Sequence, residues 1–128
     1  MDQSLRPTKK DMIAARSKIW LEASGEVIFG GGRTALLEAI DETGSILQAT
    51  KKLGISYRGA WGKINATEER LGIKLLDRYP GGRGGGAKLT PEAKILLEIY
   101  RSFKKDCIVA VDKLFEKHFR EFLTKNKK

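Results

Sequence analysis

The residues that say most about chemistry lie at 81–90, GGRGGGAKLT, where five glycines surround two cations, Arg83 and Lys88. A backbone so bare of side chains, with positive charge set into it, suits close approach to an anion. That anion is either a nucleotide in an enzyme or the phosphate spine of DNA. The nucleotide motifs fail on spacing. In a P-loop, GxxxxGK[ST], Gly81 and Gly86 supply the glycines, but Ala87 stands at the lysine and Lys88 at the Ser/Thr position. The dinucleotide pattern GxGxxG/A can be laid on Gly82, Gly84 and Ala87. Yet the helix that should hold the third small residue begins only after Leu89-Thr90-Pro91, and no second parallel strand follows. A kinase-type glycine loop needs a whole catalytic domain behind it.

Other catalytic inventories are as thin. His118 is the single histidine and Cys107 the single cysteine, so no CxxC, HxxxH or Cys/His cluster exists for zinc. A Ser/His/Asp arrangement would depend on His118, which sits between Lys117 and Phe119 in a lysine-rich stretch and reads as a solvated helix residue. Neither enzyme activity nor a cofactor or metal is expected. With one cysteine there is no intrachain disulfide, and the reducing cytoplasm is the expected compartment. No run approaches the ~20 apolar residues of a membrane span, and the opening MDQSLRPTKK lacks the apolar core of a signal peptide.

The net charge of +9 over 128 residues points to a polyanionic partner, nucleic acid first and an anionic membrane surface second. The charge is concentrated. Between residues 50 and 90, nine basic residues against three acidic ones leave +6 of the total +9.

These residues need elements to position them, and periodicity supplies the elements. Residues 1–15 are polar and read as a loose tail or short helical lead-in. Residues 18–22 and 26–29 flank Ala23-Ser24-Gly25 as a β-hairpin, which Gly30 to Gly32 break. From Arg33 the spacing of Leu36, Leu37, Ala39 and Ile40 is helical as far as Glu42. Ser45 caps a short second helix with Ile46, Ala49 and Leu53 on one face, ended by Gly54. Ser56 caps a third, from about Tyr57 to Arg70, whose Ala60, Ile64 and Thr67 share a face. Two helices joined by Gly54-Ile55-Ser56 carry the helix-turn-helix signature. A strand at 74–79 stops at Pro80, and residues 87–89 can return as its partner. A glycine-rich β-loop directly after a helix-turn-helix makes a winged helix, whose glycines let the wing follow a DNA backbone.

Thr90 then caps a last helix with Pro91 at its first position and no breaker before Asn126. At ~1.5 Å per residue it would run roughly 50 Å. Along it Ala93, Leu96, Tyr100, Phe103, Cys107, Ala110 and Leu114 alternate steps of three and four, flanked by Ile99, Ile108, Val111 and Phe115. The first turns are expected to pack on their own domain. Nothing in the chain is expected to cover the far end, which predicts a second copy. The expected fold is therefore mainly α with small β. It divides into a polar tail (1–15), a winged helix-turn-helix with an N-terminal hairpin (16–90) and a long C-terminal dimerisation helix with a basic tail (91–128).

Taken together, Gly44-Ser45-Ile46, GISY at 54–57, Ala60-Trp61, GGRGGGA at 81–87 and Leu89-Thr90 resemble the N-terminal DNA-binding domain of the ModE family of molybdate-responsive transcriptional regulators. The likeness covers roughly residues 18–104. A looser similarity to LysR-type DNA-binding domains lies in LGIKLLDR at 71–78 and the following Leu89-Thr90-Pro91. The ModE resemblance implies a dimeric winged helix whose third helix enters the major groove. Full-length members continue into oxyanion-binding modules, and no residues of this chain are expected to match a molybdate site. Thr50 stands where such motifs often carry alanine, with a methyl and hydroxyl expected to fit between the helices.

The function expected is sequence-specific DNA binding by a transcriptional regulator, a homodimer on a near-palindromic operator of double-stranded DNA. Exposed candidates on the third helix are Tyr57, Arg58, Trp61, Gly62, Lys63 and Asn65. Arg58 is set to fork onto guanine and Asn65 to read adenine, while Trp61 leans toward the core. Ser45 and Ser56 would offer helix-start amides to phosphates, and Lys51, Lys52, Arg83 and Lys88 would neutralise them. Leu96, Tyr100, Phe103, Cys107, Ala110, Val111 and Leu114 are the dimer candidates. Two other readings stay open, an interaction module that heterodimerises with a larger regulator and a non-specific architectural DNA-binding protein. Whether molybdate or tungstate is sensed as an effector is not legible in these residues.

Overall fold

Ser24 and Gly25 both have positive φ, 52° and 80°, which is the backbone of a two-residue hairpin turn. They join β1 (Trp20–Ala23) to β2 (Glu26–Gly30), an antiparallel pair with an irregularity between Leu21 and Glu22. The structure, a computed structural model, describes residues 12–80 and 86–125. After the hairpin come α1 (Gly31–Thr43), α2 (Ile46–Leu53) and α3 (Tyr57–Leu71), then β3 (Leu76–Tyr79), β4 (Gly86–Leu89) and α4 (Pro91–Lys125). β3 and β4 form a second antiparallel pair, with Leu76 opposite Leu89 and Tyr79 opposite Gly86.

Several boundaries differ from the sequence reading by a residue or two, the first strand running over Trp20–Ala23 and not 18–22, and two of the differences have a local cause. Gly31 and Gly32 open α1 rather than precede it. First-turn amides have no intrahelical partner anyway, so glycine costs less there than further in. The third strand starts at Leu76 instead of 74 because the backbone before it is already engaged. The Leu75 N–H donates to Glu68 Oε2 at 2.7 Å, and the carbonyls of Lys74 and Leu75 accept from the Thr90 hydroxyl (2.6 Å) and amide (2.9 Å).

Residues 19–100 form one compact unit. Its core gathers Phe29 from β2, Leu36, Leu37 and Ile40 from α1, and Ile46 and Ala49 from α2, with Ala60 and Ile64 from α3. Leu75, Leu76, Ala87 and Leu89 close it from the wing side, and Ala93, Leu97 and Tyr100 from α4. The Tyr100 ring meets Phe29 edge-on at 5.2 Å, and its hydroxyl donates to the Ile19 carbonyl at 2.8 Å. Tyr100, counted among the dimer candidates, is thus committed to its own core at 4% exposure. Leu97, four residues after Ala93, is the buried leucine, and Leu96 is only half-buried beside it. The 3.6-residue period explains the change, since a short amphipathic contact follows the straight helix rather than a 3.5-residue stripe.

The second unit comprises the described residues up to Lys18 and from Arg101 onward. Here Phe115 and Phe119 stack at 5.5 Å, and Arg120 pairs with Glu116 one turn earlier. Ala15, Arg16 and Ser17 line a shallow pocket of about 260 Å³ with Ile108, Val111 and Asp112. Further along the helix Leu114, Phe119 and Phe122 are more than half exposed. Among the described residues no helix is long and apolar enough to cross a membrane.

Candidate nucleic-acid interface

The turn between α2 and α3 is built by two local devices. Gly54 takes φ 68°, a left-handed conformation that side chains resist, and its N–H returns to the carbonyls of Lys51 and Thr50. Ser56 then restarts the chain, its Oγ accepting the Gly59 N–H at 2.9 Å. A Cβ added to Gly59 would stand 2.7 Å from that Oγ, so a side chain there obliges the serine to shift. Ser45 caps α2 in the same way, accepting from the Gln48 N–H at 3.1 Å. Both serine side chains are thereby spent on their own helices. The earliest amides of each, Ile46-Leu47 and Tyr57-Arg58, have no intrahelical acceptor. Thr50 is 2% exposed, its hydroxyl donating to the Leu47 carbonyl at 2.7 Å, so it fits the packed position between the helices.

Ala60, Ile64 and Thr67 turn inward and fix which side of α3 faces out. Arg58, Gly62 and Asn65, spaced four and three residues apart, form the outward stripe, and all are exposed. Lys63 is exposed at its border, and Tyr57 shows 40% of its surface at the helix start. Trp61 is half-buried against the core, as its helical position implied. Glu69 continues the outward side one turn on, so uncompensated positive charge is confined to the N-terminal half of α3.

The C-terminal half of α3 is clamped to the hairpin. The Thr67 hydroxyl donates to the Ile28 carbonyl and accepts from Arg33 Nε at 2.9 Å. Arg70 donates to the Val27 carbonyl at 2.9 Å and pairs with Glu26 at 3.0 Å. Burial, with the charge of Arg70 nearby, lowers the Arg33 pKa from its usual value. These two arginines hold the helix in place and are not offered to a ligand.

The wing strands are tied down with equal care. The Ala87 N–H donates to the Gly44 carbonyl at 2.9 Å, and Leu76, Ala87 and Leu89 are buried. The opposite face carries Asp77 across from Lys88 and Tyr79 across from Gly86. A side chain on Gly86 would collide with the Tyr79 ring, which lies over it. Lys88 is exposed, whereas Arg83 lies outside the described residues. Lys51 is exposed in the last turn of α2, and its neighbour Lys52 is engaged by Glu42. The sequence reading missed Arg78, whose Cζ lies 4.7 Å from the centroid of the Trp61 ring. Strand alternation held the signal: Arg78 shares a face with Leu76 and so turns toward the helices.

A helix-turn-helix with an exposed basic second helix, followed by a two-stranded wing, defines a winged helix-turn-helix DNA-binding domain. Residues 33–94 match the model of the bacterial regulatory helix-turn-helix protein, lysR family, so this stretch is similar to LysR-type helix-turn-helix domains. Over 72 residues the chain is 43% identical to the molybdenum-pterin-binding protein MopB of Rhodobacter capsulatus, covering 56% of this chain and 27% of that protein. Over 69 residues it is 45% identical to the transcriptional regulator ModE of Yersinia pestis, covering 53% of this chain and 26% of the relative. The chain thus spans about a quarter of the length of these curated relatives. Among solved structures, a CbnR_DBD–DNA complex aligns with a TM-score of 0.50 at 26% identity, over 64% of this chain and 90% of that one. The resemblance to the ModE DNA-binding domain is thus met by curated relatives, and the looser LysR resemblance by the family and the fold.

Proposed function

We propose that this chain is a sequence-specific DNA-binding transcriptional regulator that inserts α3 into the major groove and lays its wing on the flanking backbone. The observation that carries the reading is the outward stripe Arg58–Gly62–Asn65 on a helix locked from behind by Ala60, Ile64 and Thr67. Arg58 forks onto guanine O6 and N7, and Asn65 pairs with adenine. Tyr57 and Lys63 flank them. The first-turn amides behind Ser45 and Ser56 meet phosphates, as do Lys51, Lys88 and Arg83, while Lys52 reaches them only by leaving Glu42. The protein acts as a homodimer on a near-palindromic operator, with recognition helices about one helical turn apart. α4 supplies the pairing surface through Leu96, Phe103, Cys107, Ala110, Val111 and Leu114, of which Phe103 and Leu114 are 45% and 53% exposed.

Selection of binding sites from a random duplex pool at near-physiological salt tests the reading. The expected winner is two-fold symmetric and bound ~10³-fold or more over scrambled DNA. On it, Arg58→Ala should relax discrimination at one base pair, whereas Lys88→Ala should weaken all duplexes alike. No enrichment would refute sequence-specific regulation, and equal losses on selected and scrambled DNA for both variants would refute the role of Arg58.

A further inference from the structure

One guanidinium at the junction of α3 and the wing has no role in the scheme above. Arg78 lies on β3 with its Cζ 4.7 Å from the Trp61 ring centroid. Trp61 in turn meets Tyr57 edge-on, with centroids 6.4 Å apart and planes at 75°. The strand pair behind Arg78 cannot drift. Its cross-strand neighbour Ala87 is 1% exposed and bonded through its N–H to Gly44. Among the described residues no carboxylate lies within ion-pair distance of Arg78, although the side chain is exposed.

That combination is informative. An arginine recruited for stability on a protein surface commonly finds a carboxylate, as Arg70 finds Glu26 and Arg120 finds Glu116. Here the guanidinium carbon sits over an indole ring, and among the described residues no carboxylate takes up its N–H groups. A flexible side chain is thereby oriented before any ligand arrives, which spares the ordering cost of binding. Its position is between the base-reading stripe of α3 and the backbone-following wing. A cation there faces the phosphates that wall the groove α3 would occupy.

We propose that Arg78 is a DNA-phosphate contact whose guanidinium is held ready by Trp61 as a stacking platform. The inference rests on the reading that α3 docks on duplex DNA, and it gives half-buried Trp61 a supporting role rather than a base-reading one. Lysine cannot replace this arginine, because an ammonium carries the charge without the planar face.

The test compares wild type, Arg78→Ala, Arg78→Lys, Trp61→Leu and the Arg78→Lys/Trp61→Leu pair on selected and scrambled duplexes across a salt series. Urea midpoints measured alongside ensure that folded protein is being compared. Arg78→Ala should weaken both duplexes alike by ~5–10-fold and flatten the salt dependence by about one counterion. Arg78→Lys should restore the salt slope but only part of the affinity. Trp61→Leu should lose about as much as Arg78→Lys, and the pair no more than either single change. In the free protein, the Arg78 side-chain protons should resonate upfield under the indole ring current and relax in Trp61→Leu. Unchanged affinity and slope in Arg78→Ala would overturn the contact, and full recovery by Arg78→Lys would overturn the platform. Should wild type favour no sequence while Arg78→Ala still loses affinity and slope, the contact stands and the sequence-specific reading falls. A sequence-specific wild type with an indifferent Arg78→Ala gives the reverse, and no binding to any duplex refutes both.

Discussion

Two glycines on α3, three residues apart, should answer differently to the same substitution. Gly62 is exposed in the helix interior, and a Cβ added there meets nothing within 4 Å. In such a position alanine is favoured over glycine by roughly 0.5–1 kcal/mol, because glycine loses more backbone freedom on folding. Gly62→Ala should therefore raise the thermal midpoint by ~3–6 °C. Gly59, in the first turn of α3, has a smaller propensity gain, and its added Cβ would lie 2.7 Å from Ser56 Oγ. The serine must then rotate away and give up its bond to the Gly59 N–H, losing an N-cap of about 1 kcal/mol. The smaller gain does not exceed the loss, so Gly59→Ala should leave the midpoint at or slightly below wild type.

Binding should run against stability. If α3 lies in the major groove with Arg58, Gly62 and Asn65 toward the bases, a methyl at 62 pushes the helix outward. A loss of about 1 kcal/mol, roughly 5-fold in affinity, is the scale of a mildly mismatched base pair. Thermal melts with urea titrations read the first effect, and fluorescence anisotropy on the selected duplex reads the second. Equal responses of the two variants to melting would refute the role given to the Ser56 cap. A stabilised Gly62→Ala that binds as tightly as wild type would remove that face from the interface, since a stability gain without functional cost is the mark of an idle surface.

Three further outcomes follow from other parts of the molecule. Thr67→Val removes the hydroxyl that joins Arg33 Nε to the Ile28 carbonyl in a site 0% exposed, and should cost about 2–3 kcal/mol in urea unfolding; an unchanged midpoint would mean that this clamp carries no stability. Leu114→Glu, at a position 53% exposed, should leave the fold intact and shift sedimentation from dimer to monomer, and a surviving dimer would exclude this part of α4 from the pairing surface. The Glu116 pKa is lowered, first by the hydrogen bond from Arg120 and then by its charge, so an NMR titration of its carboxyl should show a midpoint below the usual glutamate value. Because the folded pKa is depressed, this pair supports the helix at neutral pH and ceases to as pH falls through that midpoint; a midpoint at or above the usual value would contradict it.

What the sequence disclosed depended on how local the cause was. Ser45, Gly54 and Ser56 act within three or four residues of themselves, and the helices they bound lie where periodicity and caps placed them. Strand 74–79 shortened because its first carbonyls are taken by Thr90 and its Leu75 amide by Glu68, bonds spanning 7 to 16 residues that no local pattern reveals. Tyr100 fits an a/d stripe as well as it fits a core, and only Phe29 and the Ile19 carbonyl, 71 and 81 positions earlier, decide between them. Lys52 looked like a phosphate ligand until Glu42, ten residues away, was seen to engage it. Charge alone likewise does not show that Arg33 is bound to Thr67 and Arg70 to Val27 and Glu26, contacts that hold α3 to α1 and β2.

The same division runs through the wing, whose described strands are fixed by bonds to partners distant in sequence. Each strand is tied separately, β4 by the Ala87 bond to Gly44 at the start of the helix-turn-helix and β3 by Arg78 on Trp61 within α3. Thr90 adds a third tie at the wing's far end, bonding residues 74 and 75 while capping α4 through the Ala93 N–H. The wing is thus fixed at its root to the very helices that would read the bases. A shift of α3 on the duplex must carry the wing with it. Base reading and backbone contact should then be energetically coupled, so Lys88→Ala and Arg58→Ala should combine non-additively on the selected duplex when the root is intact. Breaking the root with Trp61→Leu should return them to additivity; coupling that survives the break would place its origin in the DNA rather than in the protein.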